Sequence, residues 1–561
     1  MTATLNLRFR PTYCLSSILS LVALLSSAVL TAKDLPVFSP EDVFEIEYAS
    51  DPRVSPDGSQ VAYVRVSMDI MTDRARRAIW VVDTDGTNHR PLVSGQGNFS
   101  SPRWSPSGDR LAYLSNTEGK TQLFVEWLDA GETAKVTTLP QSPRGIVWSP
   151  DGEQIAFTRL VPTAPPMLAT MPDKPKGATW AEPATVVDKM TFRVDGGGYL
   201  PSGSQQVFVV PAHGGTPRQM TSGDFPISSA VTWSPDSQSV IFSSNRRDDA
   251  EYHPRQSDLF AAALLTGQIT QITDTAGPEG RPVVSPNGRY LAYTQTADMR
   301  QGYNGAKLTI RDLTTSESRS LTTDFDRSVS DIQWSQDSKS LWISYTDLGM
   351  VRVAKIDLRG KLRQSDIVLG GTAIGRPYTS GSFSVGGKGR LAYTLGRDDR
   401  PADVALMRPG KTPLKLTDLN GDLMGQRQMT RAERITWPSS HDAMMIEGWV
   451  MKPPGFDPAK AYPMILEIHG GPHSAYGPNY STEAQLFAAA GYVVLYTNPR
   501  GSTSYGEQFA NEIDLAYPGF DYDDLISGVD ALIDQGYVDP EQLFVTGGSG
   551  GGVLTAWIVG K

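Results

Sequence analysis

The chain has 561 residues and 39% of them are hydrophobic, so it can form two hydrophobic cores rather than one. Its 51 basic and 61 acidic residues give a net charge of −10 at neutral pH. This balance argues against a nucleic acid or an anionic membrane surface as a partner.

Residues 1–32 have the pattern of a secretory signal peptide. Arg8 and Arg10 form a basic start, residues 14–31 are uncharged and largely apolar, and a polar segment follows. An uncleaved membrane anchor is the alternative, and only in that case do we expect a stable membrane partner. Cleavage also removes Cys14, the only cysteine, so the mature chain cannot form an internal disulfide. We predict a secreted protein of a bacterial periplasm.

Residues 33–415 are predicted to form a short N-terminal helix followed by a β-propeller. The helix is expected over residues 41–48, because Ser39 can cap it and Pro40 suits its first position. We expect this helix to pack against the C-terminal domain.

One motif recurs between residues 50 and 410: Ser-Pro-Asp-Gly or a variant, preceded by Trp or another apolar residue and followed by an aromatic strand. Copies begin at residues 55, 105, 149, 234, 285 and 335, and a degraded copy lies near residue 384. Each copy predicts a hairpin, because proline presets φ, aspartate bonds its own backbone and glycine accepts a left-handed exit. Seven copies at a nearly fixed spacing predict a seven-bladed β-propeller. The alternative, a β-sandwich, does not predict a fixed period.

The spacing widens only between the copies at residues 149 and 234, which puts an insertion of residues 160–204 into the third blade, between its second and third strands. The insertion is rich in proline. It is either a surface decoration or a lid that faces the substrate. We favour the lid, since loops that approach a catalytic site need such length.

Residues 416–561 have the element order of an α/β-hydrolase domain. A hairpin is predicted over residues 434–451, and residues 521–535 form an amphipathic helix whose apolar face belongs to the core. An apolar strand then enters the turn Gly547-Gly-Ser-Gly-Gly551, and a second helix begins. This is the pattern of a nucleophile elbow, with Ser549 on a sharp turn between strand and helix. The turn requires small neighbours, since a β-carbon there would clash with the crossing strand and helix.

The elbow motif is weak by itself, and an upstream loop strengthens it. A buried strand at residues 462–468 runs into a His-Gly-Gly-Pro-His loop at residues 469–473, which in a hydrolase supplies half of the oxyanion hole. Backbone N–H donors are expected from the loop residues His469, Gly470 and Gly471, and from Gly550 in the elbow. The two histidines could instead be polar turn residues or a zinc pair, but no third His or Cys ligand is nearby in the sequence. No metal or other cofactor is implied.

Three motifs in this order resemble the catalytic domain of prolyl oligopeptidase-type serine peptidases, and most closely the bacterial acylaminoacyl-peptidase and dipeptidyl-aminopeptidase group. They are the loop at residues 469–473, Asn498-Pro-Arg-Gly-Ser502 with Tyr505-Gly506, and the elbow around Ser549. The resemblance implies that Ser549 attacks a peptide carbonyl, that a histidine acts as base, and that an aspartate orients it. It also implies that the propeller caps the site and admits only short or unfolded peptides. The chain departs from the family at Gly550, where tyrosine is usual, although a backbone N–H donor survives that change.

The chain stops at Lys561, twelve residues after Ser549, and none of its six histidines follows that serine. In an α/β-hydrolase the acid and the histidine come after the nucleophile, so we expect both to lie beyond Lys561. The sequence is thus expected to be a fragment of a longer protein, with an incomplete hydrolase domain and no activity of its own.

These observations predict a serine peptidase that acts on short peptides. The alternatives are an esterase on the same fold and a non-enzymatic, TolB-like propeller that binds a partner. The chain has no adjacent Glu-Glu pair, the amine anchor of exopeptidases in the dipeptidyl-peptidase-four branch, which favours an acylaminoacyl-peptidase or a broad oligopeptidase. A lipase would need an apolar lid, and the sequence predicts a polar insertion, which argues against a lipase.

Overall fold

The structure is a computed structural model that describes residues 35–170, 172–181, 184–227, 231–297 and 300–561. The predicted signal peptide lies outside these residues. Within them, no helix has the length and apolar character needed to cross a membrane.

Seven antiparallel sheets of four strands follow one another along the chain. Blades one to three contain β1 Glu47–Val54, β2 Gln60–Asp69, β3 Arg74–Asp83, β4 Arg90–Val93, β5 Phe99–Trp104, β6 Arg110–Ser115, β7 Gln122–Trp127, β8 Glu132–Lys135, β9 Arg144–Trp148, β10 Gln154–Pro162, β13 Gly203–Pro211 and β14 Arg218–Gln219, with a hairpin of β11 Arg193–Val194 and β12 Gly198–Tyr199 inside blade three. Blades four to seven contain β15 Thr232–Trp233, β16 Ser239–Ser244, β17 Asp258–Ala263, β18 Ile269–Gln271, β19 Glu279–Val284, β20 Tyr290–Gln295, β21 Lys307–Asp312, β22 Ser318–Ser320, β23 Val329–Trp334, β24 Ser340–Asp347, β25 Met350–Asp357, β26 Leu362–Leu369, β27 Phe383–Val385, β28 Leu391–Arg397, β29 Arg400–Met407 and β30 Leu414–Lys415. The predicted seven-bladed propeller is confirmed.

The recurring turns satisfy their own polar groups. In five of them the first serine hydroxyl accepts a hydrogen bond from the backbone N–H five residues later, as Ser149 does from Gln154 at 2.9 Å. The turn then leaves through a left-handed residue, such as Gly152 with φ of 74°. Where serine replaces that glycine, as at Ser237, the backbone is still left-handed. The motif therefore encodes the turn locally, as the sequence predicts.

The tryptophan before the turn joins neighbouring blades. Its indole N–H donates to a carbonyl in the first strand of the preceding blade, at 2.9–3.1 Å, in the pairs Trp104–Arg53, Trp148–Arg103, Trp233–Val147 and Trp334–Val283. Blades one and seven share no strand. Their contact includes a shared hydrophobic cluster and two hydrogen bonds, from the Val54 N–H to the Ser384 hydroxyl at 3.0 Å and from the Gly387 N–H to the Ser55 carbonyl at 3.1 Å. Packing between blades thus closes the ring.

The insertion leaves blade three between β10 and β13, which pair directly at Pro162 and Gly203. The surface of the insertion is less polar than we predicted, because many of its apolar side chains are exposed. These are Met167, Leu168, Trp180, Val187, Met190, Phe192, Val194, Tyr199 and Leu200. One contact to the blade is an ion pair between Lys189 and Asp224. The polarity of the insertion therefore gives no reason to exclude an esterase.

The N-terminal helix is shorter than predicted. It is a single 3-10 turn at Glu41–Glu45, and β1 begins at Glu47, because the residues after the turn pair with β2. Its neighbours Phe38 and Ile46 pack against Tyr480 in the C-terminal domain. The expected contact between this segment and that domain is present.

The C-terminal domain has one mixed sheet with helices on both faces. Its elements are α1 Gly421–Met424, β31 Ala432–Pro438, β32 Met445–Met451, β33 Tyr462–Ile468, α2 Thr482–Ala489, β34 Val493–Asn498, α3 Glu507–Asn511, α4 Asp521–Ile533, β35 Val538–Gly547 and α5 Gly550–Gly560. The strand order is β31-β32-β34-β33-β35, and β33 runs parallel to both of its neighbours. α4 and α5 cover one face and α2 covers the other. Strand β33 is thus buried between two parallel strands, and the loop after it opens at the carboxyl edge of the sheet.

Turns of blades five to seven hold the C-terminal domain. In blade five the Tyr303 N–H donates to the Asn511 side chain at 3.0 Å, and in blade six the Gly349 N–H donates to the Ser504 hydroxyl at 2.7 Å. Between blades six and seven, the Gly375 carbonyl accepts from the Ser481 hydroxyl at 3.0 Å. These contacts place the last propeller loops beside the carboxyl edge of the hydrolase sheet.

We expect Trp233→Phe to lower the free energy of unfolding by about 1 kcal/mol, because the half-buried Val147 carbonyl loses its indole donor while an aromatic ring is kept. Trp127→Phe is the matched control, since its indole N–H has no hydrogen-bond partner in the described part of the chain. Urea and thermal unfolding curves measure both variants. If both variants lost the same free energy of unfolding, the hydrogen bond between blades would not have the stabilising role assigned to it.

Candidate active site

Ser549 stands between β35 and α5 with φ of 56° and ψ of −117°, a left-handed backbone that costs a non-glycine residue energy. Its side chain is exposed, and it is the residue before the first turn of α5. The backbone N–H groups of that turn have no partner within the helix and favour negative charge. A strained serine at a helix start has the geometry of a nucleophile elbow.

The glycines around Ser549 are required by space. A β-carbon on Gly551 would lie 2.1 Å from the Ile468 carbonyl oxygen, and one on Gly547 would lie 2.6 Å from the Gly551 backbone. Strand β33 and helix α5 therefore cross too closely for any side chain at these positions. This is the steric reason that the sequence pattern predicts.

The loop after β33 lies against the elbow. A β-carbon on Gly470 would be 3.2 Å from the Ser549 β-carbon, and one on Gly550 would be 3.2 Å from the Gly471 nitrogen. The loop and elbow residues predicted from the sequence are therefore brought together. The backbone N–H groups of Gly470, Gly471 and Gly550 differ in whether they have a hydrogen-bond acceptor.

The Gly470 N–H already has an acceptor. It donates to the Tyr378 hydroxyl at 2.7 Å. No acceptor contacts the Gly471 N–H among the described residues, and Gly550 is the first residue of α5. Gly471 and Gly550 are thus predicted donors whose N–H groups have no acceptor among the described residues.

His469 is a structural residue of this loop. Its ring is buried, with Nε2 hydrogen-bonded to the Ser502 hydroxyl at 2.8 Å and Nδ1 2.9 Å from the Gly470 carbonyl. Burial lowers the pKa of His469 to about 4, so the ring is neutral at ordinary pH. His473 contacts the Gly501 carbonyl at 3.1 Å. None of the six histidines, all within the described ranges, is hydrogen-bonded to the Ser549 hydroxyl.

A propeller loop between β26 and β27, residues 374–379, reaches this site; we call it the docking loop. The Tyr378 backbone forms a β-bridge with Tyr476, and the two rings meet edge to face at 4.7 Å. Arg376 of the same loop covers the elbow, since a β-carbon on Gly548 would lie 2.7 Å from its Nη1. The propeller therefore contributes two side chains to the surroundings of Ser549.

Arg376 also pairs with Glu467 of β33, at 3.2 Å, and with Glu483 of α2, at 2.8 Å. Glu467 is 2% exposed and accepts a hydrogen bond from the Tyr476 hydroxyl at 2.9 Å. Burial raises the pKa of Glu467 to about 7, although the charge of Arg376 opposes the rise. A carboxyl group with a pKa near neutrality thus lies in β33, two residues before the loop at residues 469–473, the predicted oxyanion loop.

Arg500 anchors the Asn498–Ser502 motif. Its guanidinium is buried and forms hydrogen bonds to Asp524 of α4, at 2.8 and 3.0 Å, and to Asp442, at 3.0 and 3.2 Å. The Arg500 backbone N–H donates to Asp524 as well, at 2.8 Å. Because Ser502 holds the ring of His469, this ion pair fixes the support of the oxyanion loop.

Tyr517 contacts the elbow from the other side. Its hydroxyl donates to the Gly550 carbonyl at 2.6 Å, and a β-carbon on Gly550 would lie 3.1 Å from that hydroxyl. The space next to Gly550, where the family usually has a tyrosine side chain, is therefore bounded by Tyr517.

Sequence reasoning missed Arg376, Tyr378, Glu467 and Tyr517. The first two lie far upstream of the elbow, in a propeller loop without a motif. Glu467 had a signal, since it is the only charged residue in the apolar strand that precedes the oxyanion loop.

Comparison with known proteins agrees with this geometry. Family descriptions match three successive parts of the chain: a TolB beta propeller domain at residues 58–163, a dipeptidyl peptidase IV N-terminal region at residues 179–298, and the prolyl oligopeptidase family at residues 478–561. The peptidase YuxL of Bacillus subtilis is 30% identical over 545 residues, which cover 93% of this chain and 80% of that protein. The chain belongs to the prolyl oligopeptidase family. Its peptidase assignment and its resemblance to that family are thereby confirmed.

Two further proteins match over most of the chain. Dipeptidyl-peptidase 5 of Porphyromonas gingivalis is 26% identical over 541 residues, covering 93% of this chain and 76% of that protein. The solved structure of the Pyrococcus horikoshii acylaminoacyl peptidase superposes with a TM-score of 0.74 at 21% identity, covering 92% of this chain and 75% of that one. This prolyl oligopeptidase family member thus has the family fold of propeller and α/β-hydrolase domain.

We expect Arg500→Met to destabilise the protein by about 3–5 kcal/mol, because Asp524 would keep a fully buried charge without its partner. Lys460→Met is the matched control, since Lys460 forms only an exposed pair with Asp457 and should change stability by less than about 0.5 kcal/mol. Urea unfolding measures both. A loss for Arg500→Met no larger than that of the control would exclude a stabilising role for the buried pair.

Glu467→Gln should flatten the pH dependence of stability. The pKa of Glu467 is raised from 4.5 to about 7 in the folded state. The stability that its protonated carboxyl group contributes is therefore full below pH 4.5 and is lost as the pH rises through 7. The stability difference between wild type and the glutamine variant should therefore shift by about 3 kcal/mol across this window, in favour of the variant at high pH. Unfolding at pH 4.5, 6 and 8 measures it, and parallel profiles for the two proteins would contradict the assignment.

Proposed function

We propose that this family member is a serine peptidase that cleaves short peptides through Ser549. The observation that carries the proposal is the exposed Ser549 hydroxyl on a left-handed elbow, beside two backbone N–H groups of different segments. An acyl-transfer enzyme needs a nucleophile and donors that face the same reacting carbon.

The oxyanion of the tetrahedral intermediate would be held by the Gly550 and Gly471 N–H groups. Gly470 thereby leaves the predicted set of donors, because its N–H is bonded to the Tyr378 hydroxyl. Removal of one such donor typically costs a factor of about 10² to 10³ in kcat.

We propose that the catalytic histidine and aspartate come from residues C-terminal to Lys561. This rests on the chain order of α/β-hydrolases and on the absence of a histidine bonded to Ser549 in the described ranges. Without the catalytic histidine and aspartate, Ser549 would lack a general base and would be a weak nucleophile.

The substrates proposed are peptides short enough to pass the propeller, with an acylaminoacyl or dipeptidyl type of action. One relative is a dipeptidyl-peptidase 5, which supports release of short fragments, while the missing Glu-Glu pair favours a different amine anchor or none. No cofactor is required for this chemistry. We propose that the enzyme is exported to the bacterial periplasm, on the basis of the signal-peptide pattern in residues 1–32.

Ser549→Ala should abolish both fluorophosphonate labelling and peptide hydrolysis by the protein with its natural C-terminus. Ser440→Ala, at an exposed serine of the same domain, is the control and should keep both. The chain that ends at Lys561 should not be labelled. Undiminished turnover by Ser549→Ala would overturn the proposal.

Peptide and ester chromogens distinguish the remaining alternatives. Hydrolysis of esters alone would assign an esterase, and absence of both labelling and hydrolysis in the protein with its natural C-terminus would favour a TolB-like binding protein.

A further inference from the structure

Two tyrosine hydroxyls hold the peptide segments on either side of the proposed oxyanion hole. Tyr378 comes from the propeller and contacts the loop after β33, whereas Tyr517 precedes α4 and contacts the first residue of α5. Neither tyrosine belongs to a motif of the sequence.

On the loop side, Tyr378 fixes Gly470. The loop has two successive glycines, and Gly471 has φ of 136°, so its own backbone preferences restrain it little. The Gly470 N–H is bonded to the Tyr378 hydroxyl, and the next N–H in the chain, that of Gly471, is a proposed oxyanion donor. A change in the position of Gly470 therefore moves this donor.

Tyr378 is itself held firmly by the hydrolase domain. The Thr379 N–H donates to the Ala475 carbonyl at 3.1 Å, and the Gly477 N–H donates to the Pro377 carbonyl at 3.0 Å. The Tyr378 ring packs on Tyr476. The hydroxyl is thus placed by the docking of the propeller rather than by the flexibility of its own side chain.

On the elbow side, helix α5 begins with Gly550-Gly-Gly, which loses more conformational entropy on ordering than any other sequence would. The Tyr517 hydroxyl donates to the Gly550 carbonyl at 2.6 Å and so restrains the residue whose N–H is the second donor. Burial raises the pKa of Tyr517 to about 12, which keeps its donor proton in place at neutral pH.

We propose that Tyr378 and Tyr517 are positioning residues of the oxyanion hole, one for the Gly471 donor and the other for the Gly550 donor. The proposal rests on the proposed function of Ser549. It makes the hole a composite of both domains, because Tyr378 reaches Gly470 only while the docking loop stays on the hydrolase domain.

The test compares Tyr378→Phe and Tyr517→Phe with wild type, in the protein with its natural C-terminus. Each variant keeps the ring and removes one hydroxyl. Tyr462→Phe is the matched control, because the Tyr462 hydroxyl accepts the Asp457 N–H at 2.9 Å in the same domain without contacting the loop or the elbow. Steady-state hydrolysis of a peptide chromogen gives kcat and KM, and inhibition by a peptide aldehyde, which forms a tetrahedral adduct with a serine, gives Ki.

We expect each of the two variants to lower kcat by roughly 10- to 100-fold, since a misplaced donor costs less than a deleted one. KM should stay within about twofold of wild type, because the donors act mainly in the transition state. The Ki for the aldehyde should rise by the same factor as kcat falls. A loss of packing alone would lower the unfolding midpoint without this parallel change, and Tyr462→Phe should leave kcat, KM and Ki unchanged.

The proposal is overturned if either variant keeps the wild-type kcat and Ki, or if Tyr462→Phe loses as much as they do. This failure differs from failure of the proposed function, in which wild type itself is neither labelled nor active, or in which Ser549→Ala remains active.

Discussion

The close crossing of helix α5 over the end of strand β33 is the constraint on which the site depends. There is no room for a β-carbon between Gly551 and the Ile468 carbonyl, so the elbow is seated directly on that strand end. The same strand continues into His469 and the two glycines after it. One strand end therefore sets the position of both Ser549 and the loop that faces it, and small errors in strand packing would appear at once in the catalytic geometry.

Two ion pairs with buried carboxylates lie near this strand end and the loop that follows it. Arg500 pairs with Asp524, and its motif supports the loop at residues 469–473 through the bond between Ser502 and His469. Arg376 pairs with Glu467, which lies in the strand that leads into the same loop. Such pairs contribute little net stability compared with apolar packing, because removing ions from water costs as much as their attraction returns. Their geometric effect is larger, since a buried charge tolerates only the few arrangements in which its partner remains in contact.

The propeller contributes side chains to the surroundings of Ser549. Blades five to seven hold the hydrolase domain through turn backbones, and the docking loop places Arg376 and Tyr378 beside the elbow. The blade-three insertion stands on a different blade and exposes a row of apolar side chains. The propeller thus has one loop in fixed contact with the elbow and, on another blade, an insertion with exposed apolar side chains.

The sequence by itself determined the seven blades, because each Ser-Pro-Asp-Gly turn satisfies its own polar groups within the turn and the strand that follows it. It also determined the elbow, since the steric need for Gly547 and Gly551 around Ser549 is local to one turn. Only the tertiary structure decided that the Gly470 N–H is already engaged, that Gly550 is bounded by Tyr517, and that the apolar residues of the insertion remain exposed. These outcomes depend on contacts between segments that are distant in the chain, or on which surface is left uncovered, and neither has a period or spacing that a local pattern can express.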